Sequence, residues 1–242
     1  TNKEKIKFER LFKEYKINKK KLISYKENGI KIGDLIYDSY LRSTFEPTVN
    51  LESAELKKTF FRALKIISEI DTYFKKFDVQ AVLPSHTCYI SYGIITRYAL
   101  KNNIPVYAIH SGDKGSVNYK IIKLKKNFPY IENPYFEYKK LFKKIPNKEK
   151  KFYKQIGKKN ILNRVSGKLD KSMPYIKKSL FTKHSSNKFF GKTNKKKIFF
   201  FPHCYVDNPH RYRSMLFADF YEQSKYILQY SHPFSIFISK II

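Results

Sequence analysis

Two histidines, an aspartate, two prolines and an arginine crowd one short stretch, residues 199–211, which reads FFFPHCYVDNPHR. An apolar run stops at Pro202, and a helical pattern over residues 214–226 follows the polar part. Strand, polar loop and helix is how open α/β sheets build ligand sites, because the loop lies at the carboxyl end of the strand. His203 and His210, with Asp207 between them, stand at spacings of four and three, which suits metal ligation or a metal-dependent hydrolase on a helix. Pro202 and Pro209 deny that regular helix, so no metal is expected. Arg211 and Arg213 suit bidentate contacts to a diphosphate; the plainer alternative is a solvated helix start.

Two more apolar runs end in histidine. Residues 79–83 lead into Pro84-Ser85-His86-Thr87, and residues 104–109 lead into His110-Ser111-Gly112. At the carboxyl edge of a parallel sheet His86, His110 and His203 would converge, and Ser111 and Gly112 would offer backbone N–H groups to a phosphate. One such histidine is commonly a hydrogen-bonded structural residue; several on one edge point to a site. Asp34 and Asp38, close to Tyr37 and Tyr40, are candidates for a general base on an acceptor hydroxyl, against a plainer role for Asp34 as a helix cap. Neither Cys88 nor Cys204 sits in a nucleophile motif. Ser85 lacks the Gly-x-Ser-x-Gly elbow, and Gly112 with Gly115 is too sparse for a dinucleotide or P-loop fingerprint.

These residues need a scaffold. Residues 1–22 read as a peripheral Lys-rich helix. Residues 29–42 read as a break at Gly33 followed by a short helix. Residues 53–77 give the strongest helix, with Leu56, Phe60, Leu64, Ile67, Ile70 and Phe74 on one face. Strand 79–83, helix 90–102 and strand 104–109 make a βαβ unit with parallel strands, and residues 116–124 read as a further strand. Residues 135–145 and 148–169 look helical. Residues 179–197 read as a polar linker, and residue 198 opens a new strand.

Composition narrows the classes. The 21 Phe and 20 Tyr promise a packed core. Two cysteines make no disulfide framework and fit a reducing cytosol. No apolar run approaches the ~18 residues of a membrane span. No signal-peptide pattern is present, and the chain opens on Thr1 rather than Met, so a fragment is expected. The net charge of +30 invites a polyanion partner. However, 43 of the 50 basic residues are Lys and only seven are Arg. Nucleic-acid readers favour Arg, and Lys is spread along the whole chain, so nucleic acid is not the expected partner.

Residues 29–42 (GIKIGDLIYDSYLR), the strand ends at His86 and His110, and residues 202–210 followed by 216–222 (LFADFYE) resemble bacterial capsule or surface-polysaccharide biosynthesis proteins, glycosyltransferase-like proteins of the two-Rossmann GT-B type. The resemblance covers about residues 20–222. It implies an α/β fold: a Rossmann-like parallel-sheet domain on the acceptor side over residues 1–178, a linker over 179–197, and only the start of a donor-side Rossmann-like domain over 198–242. It implies sugar transfer from a nucleotide-sugar to a glycan or lipid-linked acceptor, in the cytoplasm or at the inner face of the membrane, with no cofactor beyond the donor substrate. Asp34, Asp38 and His86 are then the catalytic candidates. His110, Ser111, Gly112, His203, Asp207, His210, Arg211 and Arg213 are the substrate-binding candidates. Residues 223–242 match nothing in that family, so a truncated and inactive frame is expected. A basic nucleic-acid-binding protein is the alternative, and a hydrolase using His203, Asp207 and His210 the lesser one.

Overall fold

The computed structural model describes residues 2–15, 18–111, 119–125, 134–168, 197–200, 202–211, 215–230 and 235–238. They fall into two compact units. One draws on Thr1–His110, Ile121–Ile131 and Lys195–Ile242, the other on Ser111–Lys120 and Glu132–Asn194. Gly112 and Arg213 lie outside the described residues, as does most of the expected linker.

The first unit begins with helices α1 (Asn2–Tyr15) and α2 (Lys19–Ser24). Asn18 caps α2 by accepting from Lys21 N at 2.7 Å. A small antiparallel hairpin follows, β1 (Lys26–Glu27) and β2 (Ile30–Lys31), with Glu27 opposite Ile30. Its two-residue turn is Asn28-Gly29, with φ of 49° and 74°. Both values lie in the left-handed region that this dipeptide tolerates best.

The hairpin feeds α3 (Gly33–Thr44), the hub of the unit. It packs against α2, α4 (Ala54–Lys76) and α5 (Tyr89–Lys101). Eight of its residues are buried: Gly33, Asp34, Leu35, Ile36, Tyr37, Asp38, Tyr40 and Leu41. Asp34 is not its cap. Ile32 occupies that position without a side-chain hydrogen bond, and Asp34 sits in the first turn. The strong helix expected over residues 53–77 is α4, capped by Ser53, whose Oγ accepts from Glu55 N at 3.2 Å. Leu56, Phe60 and Ile67 of its expected apolar face are buried, and Leu64, Ile70 and Phe74 are partly so. Its Phe60 completes an aromatic cluster with Phe8 and Phe12 of α1 and with Tyr25.

A second, smaller core gathers Val82, Ala99, Leu100, Val106, Ala108 and Leu124. Val82 and Val106 form a single parallel bridge where two parallel strands were expected. β3 (Tyr107–Ser111) pairs with β4 (Tyr119–Lys123), and β5 (Lys197–Phe200) pairs in parallel with β6 (Ser235–Ile238). Parallel pairing among the described residues is confined to the Val82 bridge and β5–β6. The last helix, α8 (Phe220–Tyr230), begins six residues later than its apolar pattern suggested. Asp219 starts it, its Oδ1 accepting from Glu222 N at 2.8 Å.

The second unit contributes α6 (Pro134–Lys144) and α7 (Asn147–Val165). α7 buries no residue. No helix among the described residues is long and apolar enough to cross a membrane.

Candidate functional site

Asp34 and Asp38 stand four residues apart, on one face of α3. Both are buried, at 1% and 2% exposure. Asp34 meets Arg97, itself buried in α5, in a bidentate pair: Nη1 lies 2.6 Å from Oδ1 and Nη2 2.8 Å from Oδ2. Nη1 also donates to Lys31 O at 2.6 Å, tying α5 to the hairpin. Burial opposes ionisation of Asp34. The Arg97 charge and hydrogen bonds, helped by Lys31, outweigh it and hold the carboxyl below its ordinary range.

Asp38 is engaged differently. The loop of residues 202–211 lies against α3, and His210 N donates to Asp38 Oδ2 at 3.3 Å. His210 Nδ1 lies 2.6 Å from Asp38 Oδ1, and Nε2 lies 3.0 Å from Ala218 O. A carbonyl only accepts, so Nε2 carries a proton, and Nδ1 shares one proton with Asp38. Burial pushes the Asp38 carboxyl up, Asp34 pushes the same way, and the bonds to His210 oppose them. The His210 ring stands edge-on to Tyr37, with centroids 5.1 Å apart.

A second bond joins the same two segments. The Tyr37 hydroxyl donates to Asp219 Oδ2, and Thr48 Oγ1 donates to the same oxygen. Burial, then the Asp219 charge, raises the Tyr37 hydroxyl far above the usual phenol range. Asp219 therefore caps α8 with one oxygen and anchors it to α3 with the other. Lys19 extends the chain of contacts, donating to Thr48 Oγ1 and to Glu222 Oε1.

Outside this buried core lies Tyr89, the first residue of α5, at a φ of 60°. For a bulky residue that left-handed conformation is strained and persists only where neighbours hold it. Asn208 Nδ2 donates to the Tyr89 hydroxyl at 3.1 Å and to Asp207 Oδ1 at 2.8 Å. The Tyr89 hydroxyl lies 3.5 Å from Asp207 Oδ1.

The residues singled out in the sequence thus separate. Asp34, Asp38 and His210 are buried partners in the bonds that join segments. Their positions suit holding the fold rather than meeting a substrate, since a general base must reach the proton it takes. His203 is exposed, its Nδ1 3.1 Å from Cys204 O and its ring stacked at a tilt on Phe220. His86 is exposed and stands edge-on to Tyr92. Asp207 is exposed, and Arg211 is half-buried, its N–H donating to Asn208 O. His110 and Ser111 end β3, and their side chains lie outside the described residues. His203, Asp207 and His210 do not form a ligand set: His210 is turned inward with both ring nitrogens engaged. Among the described residues no group of three or more His, Cys, Asp or Glu side chains is placed to hold a metal ion.

Arg97, which no sequence motif marked, belongs to the buried network together with Asp219 and the Tyr37 hydroxyl. A lone arginine inside the apolar stretch 93–100 was the available signal for Arg97, because such a charge needs a partner. An open groove of about 700 Å³ runs between α3, α4 and the start of α5. Ser39, Arg42, Lys58, Arg62, Lys65 and Tyr92 line it, with Tyr89 at its edge. No family model matches the chain, and neither a curated protein nor a solved structure does so.

Proposed function

We propose that the chain is a glycosyltransferase-like protein of surface-polysaccharide biosynthesis with a Rossmann-like α/β ground plan, acting on a nucleotide-sugar and a glycan or lipid-linked acceptor at the cytoplasmic side of the membrane. One observation carries this reading. The two segments on which the resemblance rests, residues 29–42 and 202–222, meet through buried bonds: Asp38 with His210, and Tyr37 with Asp219. Motif residues 172 and 182 positions apart are brought into one body, which is what a shared site requires.

The roles divide by exposure. The buried pairs fix α3 against the loop, and the exposed His203 and Asp207 of that loop, with the exposed His86 and the half-buried Tyr89, are left to meet ligand. Transfer would proceed by attack of an acceptor hydroxyl at the anomeric carbon, breaking the bond from that carbon to the phosphate oxygen. The hydroxyl proton would pass to His86, the exposed one of the candidate bases, and cationic side chains would stabilise the departing diphosphate. Ligand-detected NMR on the purified chain tests the reading, using UDP-, GDP- and CMP-sugars and a polyprenyl-diphosphate-linked sugar. The expected result is saturation transfer to at least one of these. No binding by any of them, with tight salt-dependent binding of single-stranded RNA instead, would replace it with the nucleic-acid reading.

A further inference from the structure

We infer that the groove between α3, α4 and the start of α5 is a binding site for a phosphate or diphosphate group, with Arg42 and Arg62 as the groups that hold it.

Helical spacing builds the site. Arg42 and Ser43 follow Ser39 by three and four residues on α3. Lys58, Arg62 and Lys65 lie four and three apart on α4. The packing of the two helices sets these rows along one groove of about 700 Å³, a volume in the range of small-ligand sites. Four cations face it against one carboxylate, Glu55. Lys58 lies 3.4 Å from Glu55, and Lys65 lies 3.7 Å from Glu69 outside the groove. Neither Arg42 nor Arg62 has a carboxylate partner among the described residues, so their guanidinium donors remain for a ligand.

The arginines carry more weight than the lysines. Lysine is abundant throughout this chain, so a surface lysine says little. Arginine occurs only seven times, and two of the seven line this groove. Guanidinium groups bind phosphate oxygens bidentately, where an ammonium acts as a point charge. Tyr92, 40% exposed, stands at the same wall and offers a ring face to an attached base or sugar.

A soluble nucleotide and a lipid both carry such a diphosphate. A second groove of about 570 Å³, lined by Phe8, Ala54 and Phe61, shares Glu55, Lys58 and Phe61 with the first. Lys5, Lys57 and Glu9 line it as well, so an apolar chain laid there would run over Phe8, Ala54 and Phe61 between charged side chains, and both sources are tested. The inference rests on the groove alone and does not require the transferase reading.

The experiment is calorimetric titration of the whole chain at low salt with inorganic pyrophosphate, then with UDP, then with phosphatidylcholine vesicles carrying a polyprenyl diphosphate. R42A/R62A is the test variant. K75A/K76A on the same helix removes equal charge away from the groove. Circular dichroism checks that both remain folded. The expected result is pyrophosphate affinity lowered at least 10-fold in R42A/R62A and less than twofold in K75A/K76A. Tighter binding of UDP than of pyrophosphate identifies a nucleotide, and tighter binding of the vesicles identifies a lipid. Absence of pyrophosphate binding, or equal losses in the two variants, overturns the inference. Pyrophosphate binding that depends on Arg42 and Arg62, without nucleotide-sugar or lipid-linked-sugar binding, keeps this site and removes the transferase. Sugar-donor binding untouched by R42A/R62A does the reverse.

Discussion

The two carboxylates of α3 sit one helical turn apart and respond to acid in opposite ways. Asp34 has its pKa lowered in the folded state, burial being overcome by Arg97. Its stabilising contribution is present above the unfolded carboxylate range and is lost as pH falls through the folded value. Asp38 has its pKa raised, burial winning over His210. Its contribution is present below the unfolded range and is lost as pH rises through the folded value. Urea unfolding of D34N and D38N across the acid range is therefore expected to split. The gap between wild type and D34N should shrink as pH falls, and the gap between wild type and D38N should widen in favour of the variant as pH rises. Parallel curves would show that neither environment differs between the folded and unfolded states. Breaking the pair from the other side is costlier. R97M leaves Asp34 buried with only the more distant Lys31, at 3.8 Å, as counter-charge and is expected to lose about 3–5 kcal/mol.

At the scale of elements, α3 depends on two glycines for its packing. A Cβ on Gly33 would lie 1.8 Å from Leu22 O and 2.8 Å from Tyr25 N, both backbone atoms. On Gly93 it would meet Leu35 Cδ2 at 2.4 Å, with Thr87 O at 3.0 Å. Backbone cannot yield as a leucine methyl can. G33A is therefore expected to destabilise by more than G93A, and G93A by about 1–3 kcal/mol from overpacking. Because Leu35 is the main obstacle at Gly93, L35A should recover part of the G93A loss. A double-mutant cycle in urea reads this as a coupling of about 0.5–3 kcal/mol. Additive losses would mean that α3 and α5 do not meet there.

What the sequence made legible follows from the range of each interaction. Helix α4 is legible because its apolar face, Leu56 to Phe74, repeats at helical period over about five turns. The hairpin was not read: β1 and β2 have two residues each, too few for alternation, and only Asn28-Gly29 marked the turn. The helical pattern from residue 214 runs past the true start of α8, because the cap Asp219 fits the same polar–apolar repeat that it ends. The links from Asp38 to His210 and from Tyr37 to Asp219 join residues far apart in sequence, and no local rule couples them. The groove was equally hidden, since each helix shows only its own row of cations and the site exists only where the rows face each other.

On the scale of the whole molecule, a net charge of +30 works against compaction. Screening relieves it. Raising ionic strength from about 0.01 to about 0.15 M shortens the Debye length from about 30 to about 8 Å. The melting temperature is therefore expected to rise with NaCl, the reverse of what a fold held by surface ion pairs would do. Its exposed pairs, such as Lys65 with Glu69, are too weak to reverse that sign. A fall with NaCl would mean that attraction rather than repulsion dominates the surface. Phosphate separates screening from binding. At matched ionic strength it should raise the melting temperature beyond NaCl, because a ligand of the native state adds its own binding free energy. Part of that excess is the general salting-out strength of phosphate, which R42A/R62A shares. The difference between wild type and R42A/R62A in phosphate, absent in NaCl, is the contribution of the groove. If the two proteins gain equally in phosphate, the excess belongs to the solvent and not to a site.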